Sequence, residues 1–125
     1  MKTDIMVHCG NSPKMERVID LTVALGTKDT DLVKQHVRDD FTWKNVGSDT
    51  VISFENLNLH LNERPPVKEL KVTNALSHGN RAMCEGTLLF EDGAFLHFCN
   101  VVKFVNTAKD ALIKEAHTYF VNSTI

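Results

Sequence analysis

Glu85 and Asn100 lie on either side of an Asp92-Gly93 pair, in segments rich in β-branched and aromatic residues. Asp-Gly suits a two-residue type I′ turn, so the spacing predicts a hairpin with Glu91 opposite Ala94. Carried along the strands, that register sets Glu85 opposite Asn100, on one face with Met83, Thr87, Leu89, Phe98, Val102 and Phe104. A carboxylate enclosed by apolar side chains is a candidate to hold and pass a proton, because burial disfavours the charged form. The facing amide is a candidate to hydrogen-bond a ligand carbonyl. The same pair also fits a satisfied cross-strand contact without chemistry, or a glutamate at a solvated rim.

The last segment, roughly Ala111 to Val121, leaves two arrangements open, because the loop from Asn106 to Asp110 does not fix parity. In one, Ala116, Thr118 and Phe120 share the Asn100 face. In the other, Glu115, His117 and Tyr119 join Glu85, and His117 could form an acid-base dyad with it. A histidine and a tyrosine at a contact between subunits would explain the same residues without catalysis, and no third group in the sequence orients a dyad.

His8, His36, His60, His78, His97 and His117 form no compact ligand pattern, so no metal site is expected. His36 and His60 can approach a cavity from helices, which makes His60 a candidate ligand contact. Trp43 can fill core or stack on a flat organic ligand. Cys9, Cys84 and Cys99 lack any C-x-x-C spacing, which argues against a disulfide framework and for a reducing, cytoplasmic setting.

These residues need a scaffold. Asn11-Ser12-Pro13 can cap a helix carrying Met15, Val18, Ile19, Thr22 and Leu25 at helical spacing, with Gly26 as its stop. Asp29 or Thr30 can cap a second, shorter helix with a stripe of Leu32, Val33, His36 and Val37. Phe41, Trp43 and Val46 suggest a short strand ending at Gly47. Ser53 can cap a third helix carrying Phe54, Leu57 and Leu61, which Pro65-Pro66 ends. From Leu70 onward four strand-like segments follow: about 70–78, 81–91, 94–105 and 111–121. Their short junctions favour an antiparallel meander. Both faces of the predicted hairpin are largely apolar, so helices can cover one and a second subunit the other, giving a homodimer through the sheet.

The 125 residues, 42% of them hydrophobic, fit one domain over 1–125. A net charge of -2 supplies no basic field for nucleic acid. No segment approaches the roughly 20 apolar residues of a membrane span, and the stretch Met1 to Gly10, interrupted by Asp4 and His8, is too short for a signal-peptide core. The expected class is α+β: N-terminal helices packed in a strongly curved, mainly antiparallel sheet.

The chain resembles the nuclear transport factor 2-like superfamily, which includes ketosteroid isomerase, scytalone dehydratase and SnoaL-like polyketide cyclases. The resemblance rests on the helix stop near Gly26, the segment Asp39 to Gly47, the helix around Glu55-Asn56-Leu57 and the hairpin ending in Val101-Val102-Lys103-Phe104. It implies a cone, a cystatin-like roll in which a bent sheet wraps a long helix and leaves a pocket at one end, with sheet-to-sheet dimers common. It also implies inner positions for Met83, Glu85, Thr87 and Leu89, and for Ala116, Thr118 and Phe120. The ketosteroid isomerase stations fall near Val18 for the tyrosine, near Lys44 or Asn45 for the base and at Asn100 for the oxyanion aspartate, so only Asn100 can still donate a hydrogen bond. The resulting expectation is a SnoaL-like protein that binds a small, mostly apolar carbonyl compound and that could isomerise, cyclise or dehydrate it by acid-base chemistry without a cofactor. Glu85 and Asn100 would be its catalytic pair, with Trp43, His60, Met83, Thr87, Phe98 and Phe104 around the ligand. The alternative is a noncatalytic binding or association module.

Overall fold

The computed structural model describes residues 1–7, 10 and 12–122. His8, Cys9 and Asn11, which entered the readings of metal ligands, thiols and the first helix cap, lie outside them. Helix α1 (Pro13–Gly26) is capped by Ser12, whose hydroxyl accepts from the Met15 amide, with Pro13 in the first turn where no amide hydrogen is needed. It buries Val18, Leu21, Thr22 and Leu25 along one side. Gly26 is its last residue, but the left-handed position of the turn falls two residues later, on Lys28 (φ 59°). There the Thr27 and Asp29 amides close onto the Val23 and Ala24 carbonyls.

Asp29 caps α2 (Thr30–His36) by accepting from the Leu32 amide at 3.1 Å. Further along, α3 (Leu57–Glu63) follows a 3₁₀ turn over Phe54–Asn56. Arg64 leaves α3 in an extended conformation (φ -81°, ψ 148°), which the following Pro65 enforces through its clash with a helical predecessor.

One seven-stranded sheet curls around α1. Its strands are β1 (Lys2–Ile5), β2 (Val37–Asn45), β3 (Val51–Ser53), β4 (Val67–His78), β5 (Arg81–Phe90), β6 (Phe95–Phe104) and β7 (Ile113–Asn122). Their spatial order is β1-β4-β5-β6-β7-β2-β3. The expected antiparallel meander is β4 to β7. Two parallel pairings enlarge it: β1 on β4 and β2 on β7. The strands β1 and β3 were not foreseen, and β2 starts at Val37 rather than near Phe41. The fold is α+β, with three α-helices among the described residues packed on a curled, mixed sheet. Among the described residues, no helix is long and apolar enough to cross a membrane.

The hairpin differs from its expected register by one residue. The Gly93 amide donates to the Phe90 carbonyl at 3.0 Å, the Phe90 amide to the Ala94 carbonyl at 2.9 Å, and Gly93 has φ 91°. The loop is therefore Glu91-Asp92-Gly93, a tight turn whose third residue bulges in a glycine-favouring conformation. The Asp92 carboxylate supports it by accepting from the Ala94 amide at 2.9 Å. Glu85 consequently opposes Cys99, and Asn100 opposes Cys84. Burial favours this register because it turns Ala82, Cys84, Leu88, Phe90, Phe98, Val102 and Phe104 together into the core. Gly86 allows the sheet to fold tightly here: a Cβ on it would stand 1.8 Å from the Lys71 carbonyl oxygen on β4.

Candidate functional site

At one end of the cone, α1, the segment after α3, and strands β2, β4, β5, β6 and β7 enclose a pocket. Its walls include Leu25, Trp43, Leu88, Phe98 and Phe120, with Thr22, Asn100 and Thr118 as neutral polar groups and Lys28 and Arg64 as the charged ones. The cavity volume is about 30 Å³, room for roughly two waters.

Three strands and a helix assemble its polar part. Asn100 on β6 lies directly opposite Thr118 on β7, and Trp43 on β2 is registered with Ala116 beside it. The Trp43 indole N–H donates to Thr118 Oγ1 at 2.8 Å, and the Thr118 hydroxyl donates to Asn100 Oδ1 at 2.6 Å. Asn100 Nδ2 donates to Thr22 Oγ1 at 2.7 Å, and the Thr22 hydroxyl reaches the Val18 carbonyl at 2.8 Å within α1. Thr22, Asn100 and Thr118 are at most 5% exposed, so this chain fixes the amide's orientation in an apolar surround. An asparagine amide carries two N–H donors, and this chain uses one.

Arg64 closes the mouth. Its guanidinium carbon lies 5.4 Å from the centres of both the Trp43 and Phe120 rings, within cation–π range. No carboxylate pairs with it among the described residues, and burial pushes its pKa below the ordinary arginine value. Lys28 Nζ donates to the Arg64 carbonyl oxygen, tying the end of α1 to the segment after α3.

The residues singled out in the sequence separate. Trp43, Phe98 and Asn100 line the pocket. Glu85, Met83 and Thr87 do not: the one-residue change at the hairpin turns all three to the opposite, convex face, beside Cys99, Val101 and His97. The expected Glu85–Asn100 pair is thereby corrected, and so is the inner placement the resemblance gave to Met83, Glu85, Thr87 and Leu89. Glu85 stands instead within 3.5 Å of the Asn74 amide. Burial, followed by the negative charge of Glu85, pushes the Cys99 thiol pKa up. Phe104 is core, 1% exposed, and is not among the pocket's lining residues.

His60 is one layer behind the pocket, edge-on to Trp43 with ring centres 5.1 Å apart. Its Nε2 has no hydrogen-bond partner among the described residues, and burial, followed by the charge of Arg64, lowers its pKa. On β7, the even positions Ala116 and Thr118 point inward, as the resemblance implied, and Phe120 lines the pocket. His117 and Tyr119 lie on the convex side, opposite Val101 and Cys99. Arg64 and Lys28 escaped the sequence reading, since charged residues next to a helix end read as solvated. The available signal was Pro65, which fixes the backbone of the arginine before it.

No family model matches the chain, and no curated protein does either. Solved structures do match. A nuclear transport factor 2-like protein of unknown function from Burkholderia xenovorans superposes with a TM-score of 0.76 at 17% identity, over 94% of this chain and 90% of that one. The chain has the nuclear transport factor 2-like fold. A provisionally assigned SnoaL-like polyketide cyclase from Shewanella denitrificans gives a TM-score of 0.71 at 12% identity, over 90% and 92% of the two chains. A provisionally assigned ketosteroid isomerase from Kribbella flavida gives 0.68 at 14%, over 90% and 81%. At such identities the likeness is one of fold, and activity depends on the side chains within each cone.

Proposed function

We propose that this nuclear transport factor 2-like protein binds a small organic molecule with a mainly apolar body in the open end of its cone. The observation that carries the reading is the Trp43–Thr118–Asn100–Thr22 chain, which leaves one Asn100 N–H uncommitted among apolar walls, with Arg64 and Lys28 at the mouth. Such a donor is suited to orient a ligand carbonyl or hydroxyl oxygen. Trp43 and Phe120 offer flat contact, and Leu88 and Phe98 supply the remaining apolar wall.

The printed names of two fold neighbours favour a second reading, a cofactor-independent isomerase or cyclase. Against it stands the chemistry of the described lining residues: none is an aspartate, glutamate or histidine, and the one lysine, Lys28, is engaged with the Arg64 carbonyl oxygen at the rim. Binding is accordingly the primary reading. The same proposal assigns the convex face, with Tyr119 and Val121 exposed on it, to a homodimer contact.

Trp43 is the single tryptophan, so its fluorescence reports directly on pocket occupancy. Titration with a panel of small ketones, phenols, amides and carboxylates should change that emission saturably for at least one class, and an Asn100→Asp variant should weaken the response. A panel that leaves both the emission and the melting temperature unmoved up to about 1 mM would refute the reading.

A further inference from the structure

We infer that the ligand of this pocket is an anion, a small organic carboxylate held by Arg64 with Lys28 beside it; the inference rests on the small-molecule reading above. The chain as a whole is acidic, with 16 Asp and Glu against 14 Lys and Arg. The pocket inverts that balance: both charged residues lining it are cations. Among the described residues Arg64 forms no ion pair, and its neighbours are aromatic rings at 5.4 Å rather than carboxylates. A half-buried guanidinium without an anion is incompletely solvated, which an incoming carboxylate relieves through two parallel N–H to oxygen bonds.

The backbone on both sides of the mouth is set for this arrangement. Pro65 holds Arg64 extended, and Lys28 occupies a left-handed conformation (φ 59°) that a lysine adopts only at a cost. That turn brings the Lys28 ammonium onto the Arg64 carbonyl, so a second positive charge sits at the same rim. The two cations are at the mouth, whereas the spare amide donor is on Asn100 at the inner end. A matching ligand carries its carboxylate outward, an apolar or aromatic body between Trp43 and Phe120, and at most a small acceptor oxygen at the far end. Since the cavity of about 30 Å³ holds only about two waters, the ligand seats by drawing the Arg64 guanidinium off the two rings. A long side chain can make that movement without a change in the backbone.

The test uses matched acid and amide probes: benzoate against benzamide, phenylacetate against phenylacetamide, and butyrate against butyramide. Each is titrated into the full chain by Trp43 fluorescence and by calorimetry. The acids should bind at least tenfold more tightly than their amides, and added salt should weaken only the acids. Arg64→Met should remove the acid preference, bringing each acid to the affinity of its matched amide in the same variant, Arg64→Lys should retain part of it, and Lys28→Met should reduce it less. Amides that bind as well as acids, with Arg64→Met affecting neither, would overturn the anion assignment and leave the small-molecule pocket standing. Failure of all six probes, together with the wider panel, would overturn both. Should Arg64→Met fail to fold, the acid-amide ratio and its salt dependence in the unaltered chain decide the matter.

Discussion

The concave and convex faces of the β5–β6–β7 sheet are built from the same three strands, yet they divide the chemistry between them. Inward, Asn100 and Thr118 are neutral and buried, and Trp43 joins them from the neighbouring β2. Outward, Glu85, His97, Cys99, His117 and Tyr119 are half-buried or exposed. Neutral polar groups survive enclosure when they can bond one another, whereas a carboxylate without a cation cannot be enclosed cheaply. The lesson is that the richest set of titratable side chains in this sequence marks the outside of the cone, and the site chemistry inside is that of an amide, hydroxyls and a guanidinium.

That contrast can be broken most severely at Gly86. Gly86→Ala places a methyl against the β4 backbone, 1.8 Å from the Lys71 carbonyl oxygen, and should cost about 3 kcal/mol or prevent folding. Gly79→Ala serves as its control: the added Cβ meets nothing within 4 Å, and only the positive φ of 59° is penalised, about 1 kcal/mol. Urea melts of the two variants measure the difference, and equal losses would show that the tight approach of β4 and β5 is unimportant.

Next in size, Thr118→Val removes the partner of both the Trp43 N–H and the Asn100 carbonyl in a nearly isosteric way. A loss of about 2 to 4 kcal/mol is expected, with a shift in Trp43 emission, because two buried polar atoms lose their bonds. A loss below about 0.5 kcal/mol would show that the inner chain contributes no stability.

Acidification probes the helices that press on the inner side. Burial is the largest cause of the lowered pKa of both His36 and His60, followed by the charge of Arg17 for His36 and of Arg64 for His60. Below about pH 6.5 the unfolded chain therefore takes up more protons than the native one, and stability falls as pH drops through that range. Asp20 beside His36, its pKa raised chiefly by burial, acts in the opposite sense at lower pH. Thermal melts from pH 7.5 to 5.5 should show a declining midpoint, and a His36→Gln, His60→Gln double variant should flatten the decline.

The smallest effect belongs to the convex face. Glu85→Gln should change stability by no more than about 0.5 kcal/mol and leave ligand binding intact. It should also move Cys99 alkylation to lower pH, since one of the two influences raising that thiol's pKa is removed. Peptide mapping after timed alkylation reads the change at Cys99 itself. Loss of binding in Glu85→Gln would return this carboxylate to the site.

Much of the scaffold was legible because local physics dictated it. Ser12-Pro13, Asp29 and Pro65-Pro66 bounded helices as their capping and steric preferences require, and the four β-rich segments paired in chain order. The strands β1 and β3 were not legible: four and three residues long, they are strands by virtue of the neighbours to which they bond. The candidate site was half legible. Trp43, Phe98 and Asn100 are in it, whereas Glu85, Met83 and Thr87 were assigned to the wrong side by a turn that accepts either two or three residues.

By itself the sequence determined which segments become helices and strands, which ones neighbour each other along the chain, and that Asn100 is a polar residue among apolar ones. Only the tertiary structure decided which side of the β5–β6 hairpin is inside, and that Arg64 turns into the pocket mouth. The reason is that an Asp-Gly bend supports two registers of similar local energy, and the choice falls to burial of Cys84, Leu88, Phe98 and Val102 against the helix and sheet that enclose them.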